Sequence, residues 1–414
     1  MMKEYFTDLV SGIESKLAAD PASQTPRKVY ALEVARLGRR LYDGEHRVAW
    51  CGVTAPFDLL AAMGVTSCFV EFIGAMLATT GMEGHFLEQA EHAGFGGDTC
   101  GYHRSVLGAA REGLMPVPDF LIATSCPCTG GLAVMENLAR HFAKDLFVLH
   151  VPQEQTPAGV TYLTAQLEDM VAFVEAHTGN PLDRERLRRA VELTNQARDL
   201  MDETYRLARH VPSPANSTEL SNLGIVAALL LGTPAIVAVA QTYVDSFRRK
   251  IAAGQSGIAD ERLRLMWIQN RIQFKHPLLK ILATDYGAAV VADELNAITW
   301  EAIDPDDPLP GIARRIISIP FNGPLPRRMA HLKQMAADYR VHGAINPCHW
   351  GCRQGTGARG MIGAALKEIG VPVLNLEVDC VDSRNFSEGQ LRTRLEAFAE
   401  MLQGRPSPWG SAGG

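Results

Sequence analysis

Three cysteines occupy three separate turns rich in glycine or proline: Cys100 in GDTCGYHRS, Cys128 in TSCPCTGG and Cys352 in NPCHWGCRQGTGARG. The first two are near neighbours in the chain and the third lies far downstream, a spacing that fits neither a zinc ribbon nor a disulfide framework. Three thiolates gathered from distant strand ends are what a [4Fe–4S] cluster needs when one iron is left open for chemistry. A cluster of that kind does one-electron work on a bound substrate. Zinc is the alternative metal, but the close CxxC pairs typical of structural zinc are missing.

The chain has eight cysteines, and the other five need their own reading. Cys51 and Cys68 sit in strand-like apolar runs and read as small buried hydrophobes. Cys380, in LEVDCVDSR, is expected to end a strand and to pack. Cys126 and Cys128 form a CPC pair whose side chains share one face of an extended segment. Cys128 is favoured, because Thr129-Gly130-Gly131 carries the chain from it directly into a helix. Cys352 is favoured over Cys348 on the same ground. Whether Cys126, Cys348 or Cys380 also ligate stays open. His103 and His349, beside the ligand candidates, are candidate proton donors. GTGARG partly mimics a dinucleotide fingerprint but lacks the acidic partner further on. Arg353 and Arg359 are nonetheless candidates to meet coenzyme phosphates. Neither a GxSxG elbow nor an HExxH pair is present, so hydrolase chemistry has no support.

The elements that must position these residues read as α/β. Residues 1–44 give N-terminal helices. Over 45–155, the runs VAWC, SCFVEF, PDFLIAT and LFVLHVP read as strands, with the helix GLAVMENLARHF between the last two, which makes a βαβ unit. Residues 156–260 read as a helical connector of long Glu-, Arg-, Leu- and Ala-rich segments. Over 261–414 the alternation resumes with RLRLMWIQ, GAAVVADE, HGAIN and VPVLNLEVD as strands. The expectation is two doubly wound parallel-sheet domains joined by a helical segment, with Cys128 and Cys352 at carboxyl ends of strands, where such sheets bind ligands. Cys100 precedes a helix, YHRSVLGAA, whose first amides would favour an anionic thiolate–cluster assembly.

At 414 residues the chain exceeds what one core usually supports. Its net charge of −6 and lack of a polybasic stretch argue against nucleic acid and anionic membrane as partners. Leu223–Ala240 is apolar enough to suggest a membrane span, but Gly232-Thr233-Pro234 breaks it into two buried helices meeting at a corner. With no apolar leader at the N-terminus and eight cysteines, the expected location is cytoplasmic.

TAPFDLLAAMG, CGYHRSVLG, PDFLIATSCPCTGG, AINPCHWGCRQGTGA and VPVLNLEVDCVDSRNFSEGQLRTRLEAFAEML together resemble the catalytic subunits of the 2-hydroxyacyl-CoA dehydratase and benzoyl-CoA reductase family, from about Val48 to Gln403. The resemblance implies three cluster cysteines per subunit, matching Cys100, Cys128 and Cys352. It implies an acyl-CoA thioester substrate reduced to a ketyl radical, an electron from an ATP-dependent activator, and a dimer with a homologous subunit or with itself. Relatives commonly carry an acidic pair where this chain has Phe57-Asp58, so the implied general-base role falls to Asp58 alone. The Cys-Asp of many relatives is Cys128-Thr129 here. These departures suggest a divergent member or a subunit holding an electron-relay cluster. Within the same family, an [8Fe–9S] double-cubane reductase of small molecules is the rival reading.

Overall fold

Eight short strands among the described residues build two sheets: β1 (Arg47–Cys51), β2 (Val65–Phe69), β3 (Phe120–Thr124), β4 (Leu146–Leu149), β5 (Leu263–Trp267), β6 (Ala288–Asp293), β7 (Gly343–Asn346) and β8 (Val373–Asn375). The computed structural model describes residues 2–20 and 24–410; beyond its first glycine, the GSAGG tail lies outside the described residues. Every strand pair is parallel, in the orders β2-β1-β3-β4 and β6-β5-β7-β8. The fold is α/β, two Rossmann-like sheets flanked by helices. Both halves thus wind in the same order, a repeat of topology that leaves no trace as sequence identity. In each sheet the direction of winding reverses between the two central strands, and the carboxyl ends there open a crevice.

β1, β2, β3, β5, β6 and β7 are buried along nearly their whole length, which is why they read as unbroken apolar runs and not as alternating ones. Met2–Ala19 and Pro26–Tyr42 form the two leading helices, the second capped by the Thr25 hydroxyl with Pro26 at its first turn. Between the sheets in sequence run Pro157–Thr178, Arg184–Ala208, Glu219–Leu230 and Pro234–Ala252. The last two meet at Gly232, whose φ of +78° turns the chain before Thr233 and Pro234 start the next helix. Among the described residues no helix is long and apolar enough to cross a membrane.

Among the differences from the sequence reading, three shape the surroundings of the candidate site. β2 stops at Phe69, because the Val70 amide bonds back to the Cys51 carbonyl and Glu71 begins a helix (Glu71–Thr80) whose apolar face keeps SCFVEF looking like one strand. β8 stops at Asn375. The Leu376 amide still bonds the Asn346 carbonyl, but the Val378 carbonyl then accepts from the Trp350 amide and the chain leaves the sheet, so Cys380 sits in a loop and does not end a strand. The helix Pro308–Ser318 has no counterpart in the sequence reading. Its Ile312, Ala313, Ile316 and Ile317 are buried, and it packs back against Pro157–Thr178.

That helix settles the surroundings of Asp58. Asp58 lies in the short helix Phe57–Ala62, fully buried, and its carboxylate accepts two bonds from Arg315 (2.6 and 2.7 Å) and one from the Thr194 hydroxyl. Burial alone would push this carboxyl up, but the paired guanidinium and the Leu59 amide hold it below its ordinary value. Asp58→Ala should therefore cost about 3–5 kcal/mol, since it strands a buried guanidinium. Replacing both partners by apolar residues should cost much less. Because the folded value lies below the unfolded one, the pair's contribution is complete above the unfolded carboxyl range and fades as pH falls through the folded value. Urea midpoints over a pH series, compared between the wild type and Asp58→Ala, measure both effects.

Candidate functional site

The carboxyl ends of both sheets face one cavity of about 770 Å³. Val53 after β1, Ser125 to Cys128 after β3, Gln269 to Arg271 after β5 and Cys352 to Gln354 after the β7 turn all line it. Cys100 and Tyr102, from the crossover between β2 and β3, also line it.

Cys100, Cys128 and Cys352 come together here, and each occupies the same local position: the residue capping the N-terminus of a helix, at Gly101–Arg111, Thr129–Phe142 and Arg353–Thr356 respectively. First-turn amides point at each sulfur. The Gly131 N–H donates to Cys128 Sγ at 3.4 Å, with Gly130 assisting; Tyr102 and His103 serve Cys100, and Gly355 and Gln354 serve Cys352. Burial pushes all three thiols above their ordinary value, most strongly Cys100, while these amides pull the other way. Such a site disfavours a free thiolate and suits one whose charge is shared with a metal.

The three sulfurs are held together by contacts between the two halves. His349 accepts the Cys380 amide on Nδ1 (2.8 Å), so its proton is on Nε2, which donates to Cys100 Sγ at 3.0 Å. Burial pushes this imidazole down to about 4. Gly351, with φ of +71°, lies so close that a methyl there would overlap the Cys100 backbone. Asp379 accepts the Gly101 amide at 3.1 Å, beside Arg104, which is 1 % exposed and bonded to Glu91 and Asp382. Gln354 reaches across to the Pro127 carbonyl.

The other residues singled out from the sequence fall on both sides of the cavity wall. His103 lines it, 3.7 Å from Glu71, and Arg353 lies exposed at its edge. His349 stands behind Cys100 and outside the lining. Asp58 also lies outside it, committed to Arg315. Arg359 points elsewhere and pairs with Glu377 at 2.7 Å. Cys126 lines the cavity, its thiol pushed up to about 12 by burial, whereas Cys348 turns to Asn375 and Cys380 to the Asn270 carbonyl. Cys51 and Cys68 lie fully buried in β1 and β2. Gln269 has a φ of +63° and directs its amide toward Cys352 Sγ at 3.9 Å. It is a non-glycine residue held in the left-handed region on the cavity wall, beside a candidate ligand, and nothing in WIQN signals it.

A three-thiol set on helix N-termini, with Gly130 and Gly351 adding no side chain to the wall, fits an inorganic cluster. Among the described residues no three His, Cys, Asp or Glu side chains converge on a point as a single ion requires; a cluster spreads its ligands around a core and needs no such convergence.

The chain matches the family model for 2-hydroxyglutaryl-CoA dehydratase, D-component, over residues 52–402. It is 25% identical over 372 residues to the (R)-phenyllactyl-CoA dehydratase alpha subunit of Clostridium sporogenes, covering 86% of this chain and 89% of that one. It is 25% identical to a benzoyl-CoA reductase subunit of Thauera aromatica (78% and 81%) and 21% identical to the lactoyl-CoA dehydratase alpha subunit of Anaerotignum propionicum (86% and 90%).

Cys128 and Cys352 are half-buried and the other six cysteines buried. In the metal-free chain, an alkylating agent should therefore label these two first and leave Cys51, Cys68 and Cys380 until the protein unfolds. Peptide mass spectrometry over a time course reads the order, and early labelling of Cys51 or Cys68 would contradict the described packing.

Proposed function

The chain belongs to the 2-hydroxyglutaryl-CoA dehydratase D-component family, and on that premise we propose that it is the iron–sulfur subunit of an acyl-CoA dehydratase or reductase. What carries this reading is the meeting of Cys100, Cys128 and Cys352 at one cavity, each on a helix N-terminus. These three residues would hold a [4Fe–4S] cluster, with Cys126 beside them. When bound, the cluster supplies one-electron chemistry at low potential to a thioester carbonyl.

The protein's own residues do the rest. The buried inner wall of the cavity, with Phe69 and Phe72, would shield the acyl group from water. His349 fixes Cys100 through its Nε2 proton, and His103 stands on the wall where a proton can be given or taken. Arg353, at the cavity edge, is placed for a coenzyme phosphate, while Arg359 is occupied by Glu377. The electron would come from an ATP-dependent activator, and the subunit would pair with a homologous partner or a second copy, in the cytoplasm. Four of the eight cysteines line the cavity, too few for the double-cubane reading to be preferred. The room beside the thiols favours a substrate site over a pure electron relay.

Iron and sulfide content of anaerobically purified protein tests the reading. It should give about four of each per chain, with a brown colour bleached by air. Cys100→Ala, Cys128→Ala and Cys352→Ala should each lose most of it, and Cys51→Ala and Cys68→Ala should keep it. A colourless protein with stoichiometric zinc would overturn the assignment. If an acyl-CoA leaves the cluster's paramagnetic resonance spectrum unchanged, the chain is a relay and not the substrate-bearing subunit.

A further inference from the structure

A second, smaller cavity of about 190 Å³ adjoins the first, on the side of the helices Arg184–Ala208 and Leu325–Asp338. One described residue, Asp293, lines both. It is the last residue of β6, 7 % exposed, and its carboxylate accepts the Ser221 hydroxyl on one oxygen and the Leu295 amide (3.0 Å) on the other. Ser221 itself faces the larger cavity. On the far side, Tyr205 is 6 % exposed and lines the small cavity with a buried hydroxyl that has no hydrogen-bond partner; His331 lines it with an equally unpartnered Nε2. Buried polar groups are almost always paired, and two orphans on the wall of one polar cavity are positions that ordered water satisfies. Asp202, Arg209 and Asp338 form the outer rim and reach solvent.

We propose that Asp293 is a proton relay between the two cavities, passing protons between a substrate in the larger one and a file of water in the smaller one. One proton leaves the carboxyl toward the substrate and one returns from water past Tyr205 and His331, or the reverse; no electron moves. The surroundings suit the task. Burial pushes Asp293 up to about 6, the Ser221 and Leu295 bonds and Arg271 oppose the shift, and Glu294 adds to it. A group that can both hold and release a proton near neutrality is what a relay requires. Glu294 is itself tied to Arg328, burial pushes the facing His331 down, and Asp293 is among the charges that raise the Tyr205 hydroxyl. A thioester held against the buried inner wall, beside Asp293 and Ser221, can exchange protons through such a conduit, so the substrate end of this inference rests on the function proposed above.

The test has two arms. In infrared difference spectra of the purified protein, titrated through about 6, a protonated-carboxyl band should titrate, be absent in Asp293→Asn and exchange promptly in heavy water. Ala297→Phe, which fills the small cavity, should slow that exchange at least about tenfold, a barrier rise of about 1.4 kcal/mol. Tyr205→Phe, a milder change, should slow it in the same direction. In the turnover arm, with activator and a thioester that the wild type converts, Asp293→Asn should lower kcat about 10²-fold or more with little effect on KM. It should also erase the limb of the pH profile near 6, and Asp293→Glu should restore part of the rate. No band assignable to Asp293, or exchange indifferent to both Ala297→Phe and Tyr205→Phe, would overturn the relay. Absence of wild-type turnover with every thioester would strike the proposed function instead and leave the infrared arm to decide.

Discussion

One buried carboxylate, Asp379, ties the two halves together where the site is. It accepts the Gly101 amide at the start of the helix that Cys100 caps, and the Val381 and Asp382 amides of the loop beyond β8. Arg104, from the same helix as Gly101, lies beside that carboxylate and bonds Asp382, so the charges brought into the interior are paired. The consequence is positional. Cys100 belongs to the first sheet's crossover, yet its distance to Cys352 is set by a loop of the second half.

Helix N-termini explain why cysteine can stand at such a seam. A thiolate buried without partners is costly, and the fully enclosed Cys51 and Cys68 are accordingly held as neutral thiols by burial alone or nearly so. At Cys100, Cys128 and Cys352 the same burial is opposed by amides from a first helical turn, which have no partner inside their helices. The short helix Arg353–Thr356 makes this plain: a single turn, too brief to add much to a core, presents the Gln354 and Gly355 amides to one sulfur.

The sheets are legible because buried parallel strands are short apolar runs between turns, and the thiols are legible because their turns carry glycine and proline. The side-chain partnerships that stay hidden share one cause, a partner distant in sequence. Nothing near Asp58 announces Arg315, and nothing near Arg359 marks Glu377 as its partner more strongly than the glycines suggest a phosphate. His349 lies beside Cys352 in the chain but bonds Cys100, because the turn through Gly351 carries the histidine back toward the first half. β2 and β8 read too long for a different reason: the apolar residues that follow them are buried by other elements, and alternation alone does not say which surface does the burying.

Both walls of the cavity are mixed in polarity. The first half contributes apolar Val53, Phe69, Phe72 and Val151 together with Glu71, His103 and Gln153, and the second contributes Gln269, Asn270, Arg271, Arg353 and Gln354 together with apolar Leu295 and Phe321. Under the proposed function, an acyl chain gains from burial against the first wall, and the amide and phosphate groups of the coenzyme find donors along the second. The thiols come from both walls, Cys100 and Cys128 from the first half and Cys352 from the second. A thioester spanning both walls would therefore pass its carbonyl close to the sulfurs. On that reading Val53, Phe69 and Phe72 are the apolar surface an acyl group would meet, and since Phe69 and Phe72 also belong to the core of the first half, the shape of that surface is tied to the packing of β2 and the helix after it.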